Sequence, residues 1–150
     1  SKATVDYWVM DNMDRFEQIP GFRYFNVYGE GEEHKGDQAS PISKFTKQAK
    51  ETKVIKIFED SEYAFRDFVC VDDVVDVVLD NTAGSGIYDV GTGDPKSFLE
   101  IAELIAKKEG AEIEVIPFPK HLEGKYQEYT CADISWYQHD YKSVKSYLQA

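Results

Sequence analysis

Segments with helical periodicity alternate with short strand-like segments along this chain, and glycine or proline separates most of them. In order they read helix, strand, helix, two strands, helix, strand, helix, strand and helix. This alternation is typical of α/β proteins, in which helices cover the faces of a largely parallel sheet. The sequence therefore predicts an α/β fold in a single piece, without an internal repeat or a linker.

Local capping and breaking signals set the limits of the predicted elements. Ser40-Pro41 marks one helix start, and Ser97 with Glu100 three residues on marks another. The predicted helices cover residues 1–17, 41–51, 72–83, 97–109, 133–137 and 142–148. The predicted strands cover residues 21–28, 54–58, 65–71, 87–90 and 113–116. We expect the strands at 54–58 and 65–71 to pair as a hairpin.

Composition favours a folded protein and argues against two classes of partner. Hydrophobic residues make up 42% and aromatic residues 14% of the 150 residues, which suits a packed core. The net charge of -11 argues against nucleic acid and anionic membrane surfaces, because both require an excess of lysine and arginine. A phosphorylated ligand stays compatible, since a local cation such as Lys35 or Arg66 can bind phosphate. No apolar run approaches the roughly 18 residues of a membrane span.

The two cysteines, Cys70 and Cys131, lie far apart and lack metal-ligand spacing. We expect two reduced thiols in a cytoplasmic protein, with a disulfide as the alternative. The N-terminal residues have no basic head followed by an apolar core, so they do not resemble a signal peptide. They read like the middle of a longer sequence, with an amphipathic helix under way from Ser1.

A predicted strand runs into a glycine-rich polar loop between Gly21 and Gly36, in the sequence GFRYFNVYGEGEEHKG. α/β proteins place ligand contacts where strands end, and this loop carries His34 and Lys35. A lysine can act as a base only if burial or a neighbouring cation lowers its pKa. The loop is therefore either a candidate site built on Lys35 or a solvated surface loop.

A second candidate site lies in FRDFVCVDD at residues 65–73. Arg66 stands at the start of a predicted strand, where its forked N–H groups can clamp a diphosphate. The alternative is a surface ion pair of Arg66 with Asp67 or a glutamate. The tyrosines of residues 125–129 offer hydroxyl donors to a ligand, or aromatic rings to the core.

Other polar motifs are weaker signals. Gly91-Thr92-Gly93 follows a predicted strand but lacks the spacing of a dinucleotide fingerprint, so we expect a turn there. His121 and His139 have no partner at metal-ligand spacing, and both are expected on the surface. The sequence therefore predicts no metal site.

Several motifs together resemble the extended short-chain dehydrogenase/reductase family. They are GFRYFNVYG at 21–29, EEHKG at 32–36, RDFVCVDDV at 66–74 and YDVGTG at 88–93. The last two recur in many sugar-nucleotide epimerases, whereas EHKG and the sequence PFPKHLEGKYQ at 117–127 are similar to the ADP-L-glycero-D-manno-heptose 6-epimerases in particular. The resemblance implies the C-terminal portion of an NAD(P)-binding Rossmann-type α/β fold with its small substrate-binding domain. The Gly-rich N-terminal half is expected to be absent from the 150 residues.

The resemblance also implies roles for the residues at matching positions. Lys2 would match the lysine that binds the nicotinamide ribose and lowers the pKa of a tyrosine four residues earlier, before Ser1. Lys35 would match a second catalytic acid/base group, and Val27 a cofactor contact. The implied substrate-binding residues are Asn26, Phe58, Glu59, Asp60, Ser61, Arg66 and Tyr126. Within that set the residues from 58 to 61 would hold the nucleotide, and Arg66 the diphosphate.

The activity implied by the resemblance is NADP-dependent epimerisation of an ADP-heptose at C6, a step in making lipopolysaccharide precursors. Hydride would leave for NADP and return to the other face of the ketone, while Lys35 and the upstream tyrosine handle the protons. Because the Gly-rich phosphate loop is expected to be missing, we expect the 150 residues to bind NADP poorly and to be inactive alone. The implied protein is a cytoplasmic homo-oligomer that binds a nucleotide sugar, and neither nucleic acid nor membrane.

Some positions depart from the family pattern and keep other functions open. The departures are Glu30, Asp37, Lys44, Asp60 and Cys70, where the family usually has Pro, Ser, His, Gly and Tyr. Asp37 would place a carboxylate near a diphosphate. The alternatives are another NAD(P)-dependent nucleotide-sugar epimerase or dehydratase, and a non-catalytic binding or assembly module.

Overall fold

The computed structural model describes residues 2–80, 83–120 and 127–149. Its helices are α1 (Lys2–Asn12), α2 (Pro41–Thr52), α3 (Val71–Asp80), α4 (Phe98–Glu109) and α5 (Val144–Gln149). Its strands are β1 (Pro20–Tyr24), β2 (Asn26–Tyr28), β3 (Val54–Phe58), β4 (Phe65–Arg66), β5 (Phe68–Cys70), β6 (Gly86–Val90), β7 (Lys96–Ser97) and β8 (Glu112–Ile116). Short 3₁₀ helices form at Met13–Arg15 and Glu33–Gln38. The α/β class predicted from the sequence is confirmed.

The described strands pair two by two. Three pairs are parallel, β1 with β6, β2 with β5 and β3 with β8, and one pair, β4 with β7, is antiparallel. The predicted 21–28 strand divides at Phe25, whose N–H donates to the carbonyl of Val90 at 3.0 Å. The chain therefore changes its pairing partner at Phe25, since β1 pairs with β6 and β2 pairs with β5.

The predicted hairpin between 54–58 and 65–71 is wrong. The second segment is divided into β4 and β5 by Asp67. On its free side, the Phe65 N–H donates to Glu128 at 2.8 Å and the Phe65 carbonyl accepts from Thr130 at 3.2 Å. Since β4 is already paired with β7 and with this segment, β3 takes the distant β8 as its parallel partner.

Helix caps fall where the sequence predicts them, and they hold loops that carry candidate site residues. The Ser40 hydroxyl accepts from the N–H of Ser43 at 3.2 Å and starts α2. Ser97 and Glu100 form a reciprocal capping box at the start of α4, with distances of 3.1 and 2.7 Å. Helix α4 ends at Gly110 in the left-handed region, with φ of 63°.

The larger core lies between α2, α4, α5 and the strands β3 and β8. The periodic apolar faces of the helices meet there, as their 3.6-residue spacing predicts. Its buried side chains include Ile42, Phe45, Ile55, Ile57, Ile101, Ile105, Val144 and Leu148. A smaller cluster joins α3 to strands β5 and β6 through Val69, Val74, Val77 and Val90. Between them these clusters fix the strand ends that carry the candidate site.

Two predicted helices differ in the structure. Helix α1 packs on β1 and β6 but buries only Val9 and Asn12, whereas Val5 and Trp8 of the predicted apolar face are 62% and 52% exposed. Residues 133–137 form a turn in place of a helix. The indole N–H of Trp136 donates to the carbonyl of Asp89 at 2.7 Å, and this contact attaches the turn to β6.

Both cysteines are free, Cys70 buried and Cys131 partly exposed, which agrees with the two thiols that the sequence predicts. Within residues 2–80, 83–120 and 127–149, no helix has the length and apolar character needed to cross a membrane.

Candidate functional site

The candidate site is assembled around the start of β2 and the end of β4. Asn26 and Val27 are half-buried at the start of β2, in parallel register with Phe68 and Val69 of β5. The Asn26 N–H donates to the carbonyl of Asp67 at 2.9 Å. This bond places the first residue of β2 directly beside the segment that contains Arg66.

Arg66 is buried, with 8% exposure, and so does not lie on the surface. Its guanidinium donates to the carbonyl of Phe65 at 2.7 Å and lies 5.5 Å from the centre of the Phe98 ring. Contact with a ring face and a carbonyl fixes the plane of the guanidinium. A cation fixed in this way is suited to receive the oxygens of a diphosphate.

Residues 58–61 form a turn at the end of β3. The Phe58 carbonyl accepts from the N–H and the hydroxyl of Ser61, at 3.2 and 2.6 Å. Asp60 has φ of 62°, and the family glycine expected at this position would adopt that conformation at lower cost. Phe58 is half-buried and packs edge-on against Phe118 at 5.6 Å, whereas Glu59 and Asp60 are exposed. The turn therefore presents one aromatic face and two acidic side chains.

The first turn of α4 holds this turn from the other side. The Phe98 and Leu99 N–H groups donate to the carbonyls of Ala64 and Ser61, at 3.2 and 3.4 Å. The next N–H, of Glu100, is taken by the Ser97 hydroxyl. These N–H groups of α4 all have acceptors within the protein, so the start of α4 supports the 58–61 turn.

Lys35 lies on the exposed 3₁₀ helix Glu33–Gln38. The neighbouring Glu32 is buried, with 6% exposure. Its carboxylate accepts from the N–H of Gly29 at 3.1 Å, and from the N–H and hydroxyl of Ser40 at 2.7 and 2.8 Å. Glu32 therefore closes the base of the loop that carries Lys35.

A cleft of about 1590 Å³ joins several of these parts. Phe58, Ser61 and Phe98 line it, and so do Asp37 and Lys44, two of the positions that depart from the family pattern. The cleft thus brings the 58–61 turn and the 29–39 loop to one space. Arg66 is not among the lining residues, but its guanidinium contacts Phe98, which is.

Other predicted residues are not brought into this cleft. Asn26, Val27, Lys35 and Lys2 are not among its lining residues, and Lys2 is exposed in the first turn of α1. Tyr126 and His121 lie outside the described residues.

Tyr129, the last residue of the tyrosine-rich segment, is 62% exposed and its ring lies 6.1 Å from that of Phe65. A hydrogen bond with Cys131 raises the pKa of its hydroxyl. Core packing is therefore wrong for Tyr129, which leaves the hydroxyl open to solvent beside β4.

Sequence reasoning missed the buried carboxylate of Asp67. It is fully buried, and it accepts from the N–H and hydroxyl of Thr92, both at 2.7 Å, and from Gly93 and Ala132. The signal was present in the sequence, because an aspartate inside an apolar strand needs several donors and Gly91-Thr92-Gly93 supplies them. At the predicted turn, Gly91-Thr92-Gly93 forms a bent, irregular segment between β6 and β7.

The prediction of a surface His139 is wrong. Its side chain is 19% exposed, and Nε2 lies 3.0 Å from the buried carboxylate of Asp73. The N–H of Lys142 donates to the same carboxylate at 2.9 Å. Ligand atoms of Asp73, Asp76 and His139 all lie within 4.8 Å of one another. Through its contacts with His139 and Lys142, Asp73 attaches the segment before α5 to helix α3.

Comparison with known proteins identifies the family. Residues 1–91 match the family model described as NAD dependent epimerase/dehydratase family. A protein of Alkalilimnicola ehrlichii named ADP-L-glycero-D-manno-heptose-6-epimerase is 43% identical over 145 residues, which are 90% of this chain and 45% of the relative. A protein of the same name from Brachyspira hyodysenteriae is 48% identical over 121 residues, which are 78% of this chain and 38% of the relative.

Solved structures agree with the sequence relatives. The ADP-L-glycero-D-manno-heptose-6-epimerase of Helicobacter pylori matches with a TM-score of 0.78 and 28% identity, over 96% of this chain and 46% of its own. The UDP-glucose 4-epimerase of Thermotoga maritima has a TM-score of 0.80 at 23% identity, over 99% of this chain and 49% of its own, and so shares the fold. The chain spans less than half the length of the curated relatives it matches. These matches confirm the resemblance and the Rossmann-type fold.

Proposed function

The chain belongs to the NAD dependent epimerase/dehydratase family, and we propose that it forms the C-terminal, substrate-binding part of an ADP-L-glycero-D-manno-heptose-6-epimerase. The observation that carries this proposal is the identity of 43% to a relative of that name, over an alignment that covers 90% of this chain. A second relative of the same name, at 48% identity, supports it. The two free cysteines are in keeping with a reducing, cytoplasmic setting.

The nucleotide and the diphosphate of the substrate have distinct partners in this proposal. Phe58 offers an aromatic face to the base, and Ser61 holds the turn in shape. Arg66 binds the diphosphate, because its guanidinium is buried and oriented by Phe98, which lines the same cleft. Tyr126 and Asn26 contact the sugar end.

Lys35 is the proposed acid/base group for one face of the sugar. It lies on a loop whose base is closed by Glu32, so it can approach a bound sugar without disturbing the fold. Oxidation and reduction at C6 require a proton to leave and return at the C6 oxygen, and an amine close to that oxygen can exchange it. Protons are exchanged on both faces of the sugar, so two acid/base groups are needed, and Lys35 supplies one of them.

The nicotinamide end of a dinucleotide fits two residues of this chain. Lys2 presents an exposed ammonium suited to the ribose hydroxyls, and Val27 a partly exposed apolar side chain suited to the ring. The 150 residues contain no Gly-x-Gly-x-x-Gly sequence for the phosphates. When bound, the cofactor supplies hydride exchange. We propose NADP as this cofactor, with its phosphates held by residues outside the 150.

A second candidate function is an epimerase or dehydratase for another nucleotide sugar. Asp37 and Lys44, which replace the family's usual serine and histidine, both line the cleft and would meet the ligand there. A carboxylate and an ammonium at these positions can change which sugar is accepted. The same substitutions suit a non-catalytic binding module.

Calorimetric titration of the 150-residue chain with ADP and with UDP separates these functions. We expect ADP to bind more tightly than UDP. Tighter binding of UDP would favour the second candidate, and absence of binding by either nucleotide would favour the non-catalytic module.

Turnover is tested separately, by following the C6 proton of ADP-D-glycero-D-manno-heptose by NMR with NADP present. We expect no epimerisation by the 150-residue chain alone, because it lacks a phosphate-binding glycine loop within its sequence. Measurable epimerisation by this chain alone would contradict the proposed division of the site.

A further inference from the structure

The carboxylate of Asp67 is enclosed by segments that the proposed function assigns to substrate binding. Asp67 lies between β4 and β5 and is fully buried. Its Oδ1 accepts hydrogen bonds from the N–H and the hydroxyl of Thr92, both at 2.7 Å. Its Oδ2 accepts from the N–H groups of Gly93 at 2.8 Å and Ala132 at 3.0 Å. These donors satisfy both oxygens of the buried anion, which would otherwise be costly.

The backbone of Asp67 links the same carboxylate to the residues proposed to bind substrate. Its carbonyl accepts from the N–H of Asn26 at 2.9 Å, and its preceding neighbour is Arg66. Phe65, the residue directly before Arg66, pairs with Glu128 and Thr130. The same segment continues to Ala132, whose N–H donates to the Asp67 carboxylate. Four pieces of chain that are distant in sequence therefore meet at one residue, two of them through its carboxylate and one through its carbonyl.

The close approach of Gly91 shows how tightly this arrangement is packed. A Cβ on Gly91 would lie 2.8 Å from the Asp67 Oδ2 and 2.6 Å from the Cβ of Ala132. Neither neighbour can give way, because the carboxylate and Ala132 are joined by their own hydrogen bond. Glycine is therefore required for the 91–93 segment to wrap around Asp67.

We propose that Asp67 is a positioning residue that holds Asn26, Arg66 and the Ala132 segment in the geometry that binds the diphosphate of a nucleotide sugar. This inference rests on the proposed function. Asp67 itself does not touch the ligand, since protein encloses it. Its effect is expected on the diphosphate part of the affinity and not on the nucleoside part, which the 58–61 turn receives.

The test is to measure the affinities of the 150-residue chain for ADP and for adenosine by NMR titration, with and without the substitution Asp67→Asn. The amide nitrogen would face an N–H donor and displace one of the four contacts. We expect the affinity for ADP to fall about tenfold, as a small misplacement of the diphosphate partners would produce, and the affinity for adenosine to change less than about twofold.

The matched control is Asp73→Asn, which alters another buried carboxylate that accepts a backbone N–H, from Lys142 at 2.9 Å, but on α3. It should leave both affinities unchanged. If Asp67→Asn does not fold, Thr92→Val removes one donor to Asp67 and should weaken ADP about threefold while sparing adenosine.

The outcomes are distinct. If the wild-type chain binds ADP and the Asp67 variants bind it equally well, the positioning role is wrong. Equal losses for ADP and adenosine would mean that Asp67 only supports the fold. If the wild-type chain binds neither ligand, the proposed function fails, and this inference fails with it.

Discussion

At the scale of single residues, this chain holds its buried carboxylates largely with backbone N–H groups. Asp67 accepts from Gly93 and Ala132, and Glu32 accepts from Ser40. A backbone donor is fixed by its peptide plane, so each carboxylate sets the path of a loop as well as satisfying its own charge. The paths of the candidate loops are thus set by buried carboxylates, of which Glu32 lines the cleft and Asp67 does not.

Arg66→Lys tests the proposed diphosphate contact. Lysine keeps the charge but loses the planar fork and the contact with the Phe98 ring, so we expect the affinity for ADP to fall about tenfold. Calorimetric titration measures the change. Arg23→Lys is the control, because Arg23 is exposed and pairs with Asp6 on the surface. Equal ADP affinities for the two variants would exclude Arg66 from the diphosphate site.

Tyr28 gives a prediction about stability at high pH. Burial chiefly, and then the charges of Cys70, Asp73 and Tyr147, raise the pKa of its hydroxyl above the ordinary value of 10.0. The folded state therefore keeps the proton at pH values where the unfolded chain releases it, and stability falls as pH rises beyond about 10.

Urea unfolding between about pH 8 and about pH 11 measures this dependence. Tyr28→Phe should make the decline in unfolding free energy shallower, since the buried ionisable group is gone. Tyr7→Phe is the control at a site that is 67% exposed. A decline that is unchanged in Tyr28→Phe would show that Tyr28 does not contribute to it.

At the scale of elements, the start of α4 supports the turn that carries Phe58 and Ser61. Ser97→Ala removes the hydroxyl that accepts from the Glu100 N–H at 3.1 Å, so we expect a loss of about 1 kcal/mol in unfolding free energy. Urea titration measures it. Ser43→Ala lies inside α2, where alanine is a better helix former, and should cost nothing. An equal effect of both substitutions would argue against the capping box.

Element limits could be predicted where local chemistry sets them. Ser40 and Ser97 start α2 and α4 as the sequence indicates, because a cap needs only residues three positions away. Strand partners could not be predicted in this way. The apolar alternation of β3 suits a hairpin as well as the parallel pairing with β8 that the structure has. The pairing of β4 with β7, and the contacts of Phe65 with Glu128 and Thr130, exclude the hairpin.

The same contrast holds for the candidate site. Lys35 and Arg66 could be selected from the sequence because their motifs resemble a known family. For Asp67 the sequence signals only that a carboxylate inside an apolar strand needs donors, and for Glu32 it gives no signal, because the partners at Thr92, Ala132 and Ser40 are brought to them by the fold. His139 was expected on the surface for the same reason, since its partner Asp73 is 66 residues away.

At the scale of the whole molecule, α1 presents apolar side chains to solvent. Val5, Tyr7, Trp8 and Met10 are 62%, 67%, 52% and 56% exposed. Helix α1 packs on the β1–β6 pair and buries only Val9 and Asn12. Because the four exposed side chains lie on one short helix, α1 exposes more apolar surface than a single isolated residue would.

We therefore expect the 150-residue chain to self-associate through α1. Light scattering coupled to size exclusion should give an average mass above the 17.2 kDa of one chain, rising with concentration. Trp8→Gln should shift the mass back toward 17.2 kDa, because it removes the largest of the exposed side chains of α1. Leu79→Gln changes a residue that is 75% exposed on α3 and should leave the association unchanged. A mass that stays at 17.2 kDa at every concentration would show that the apolar surface of α1 is too small to hold two chains together.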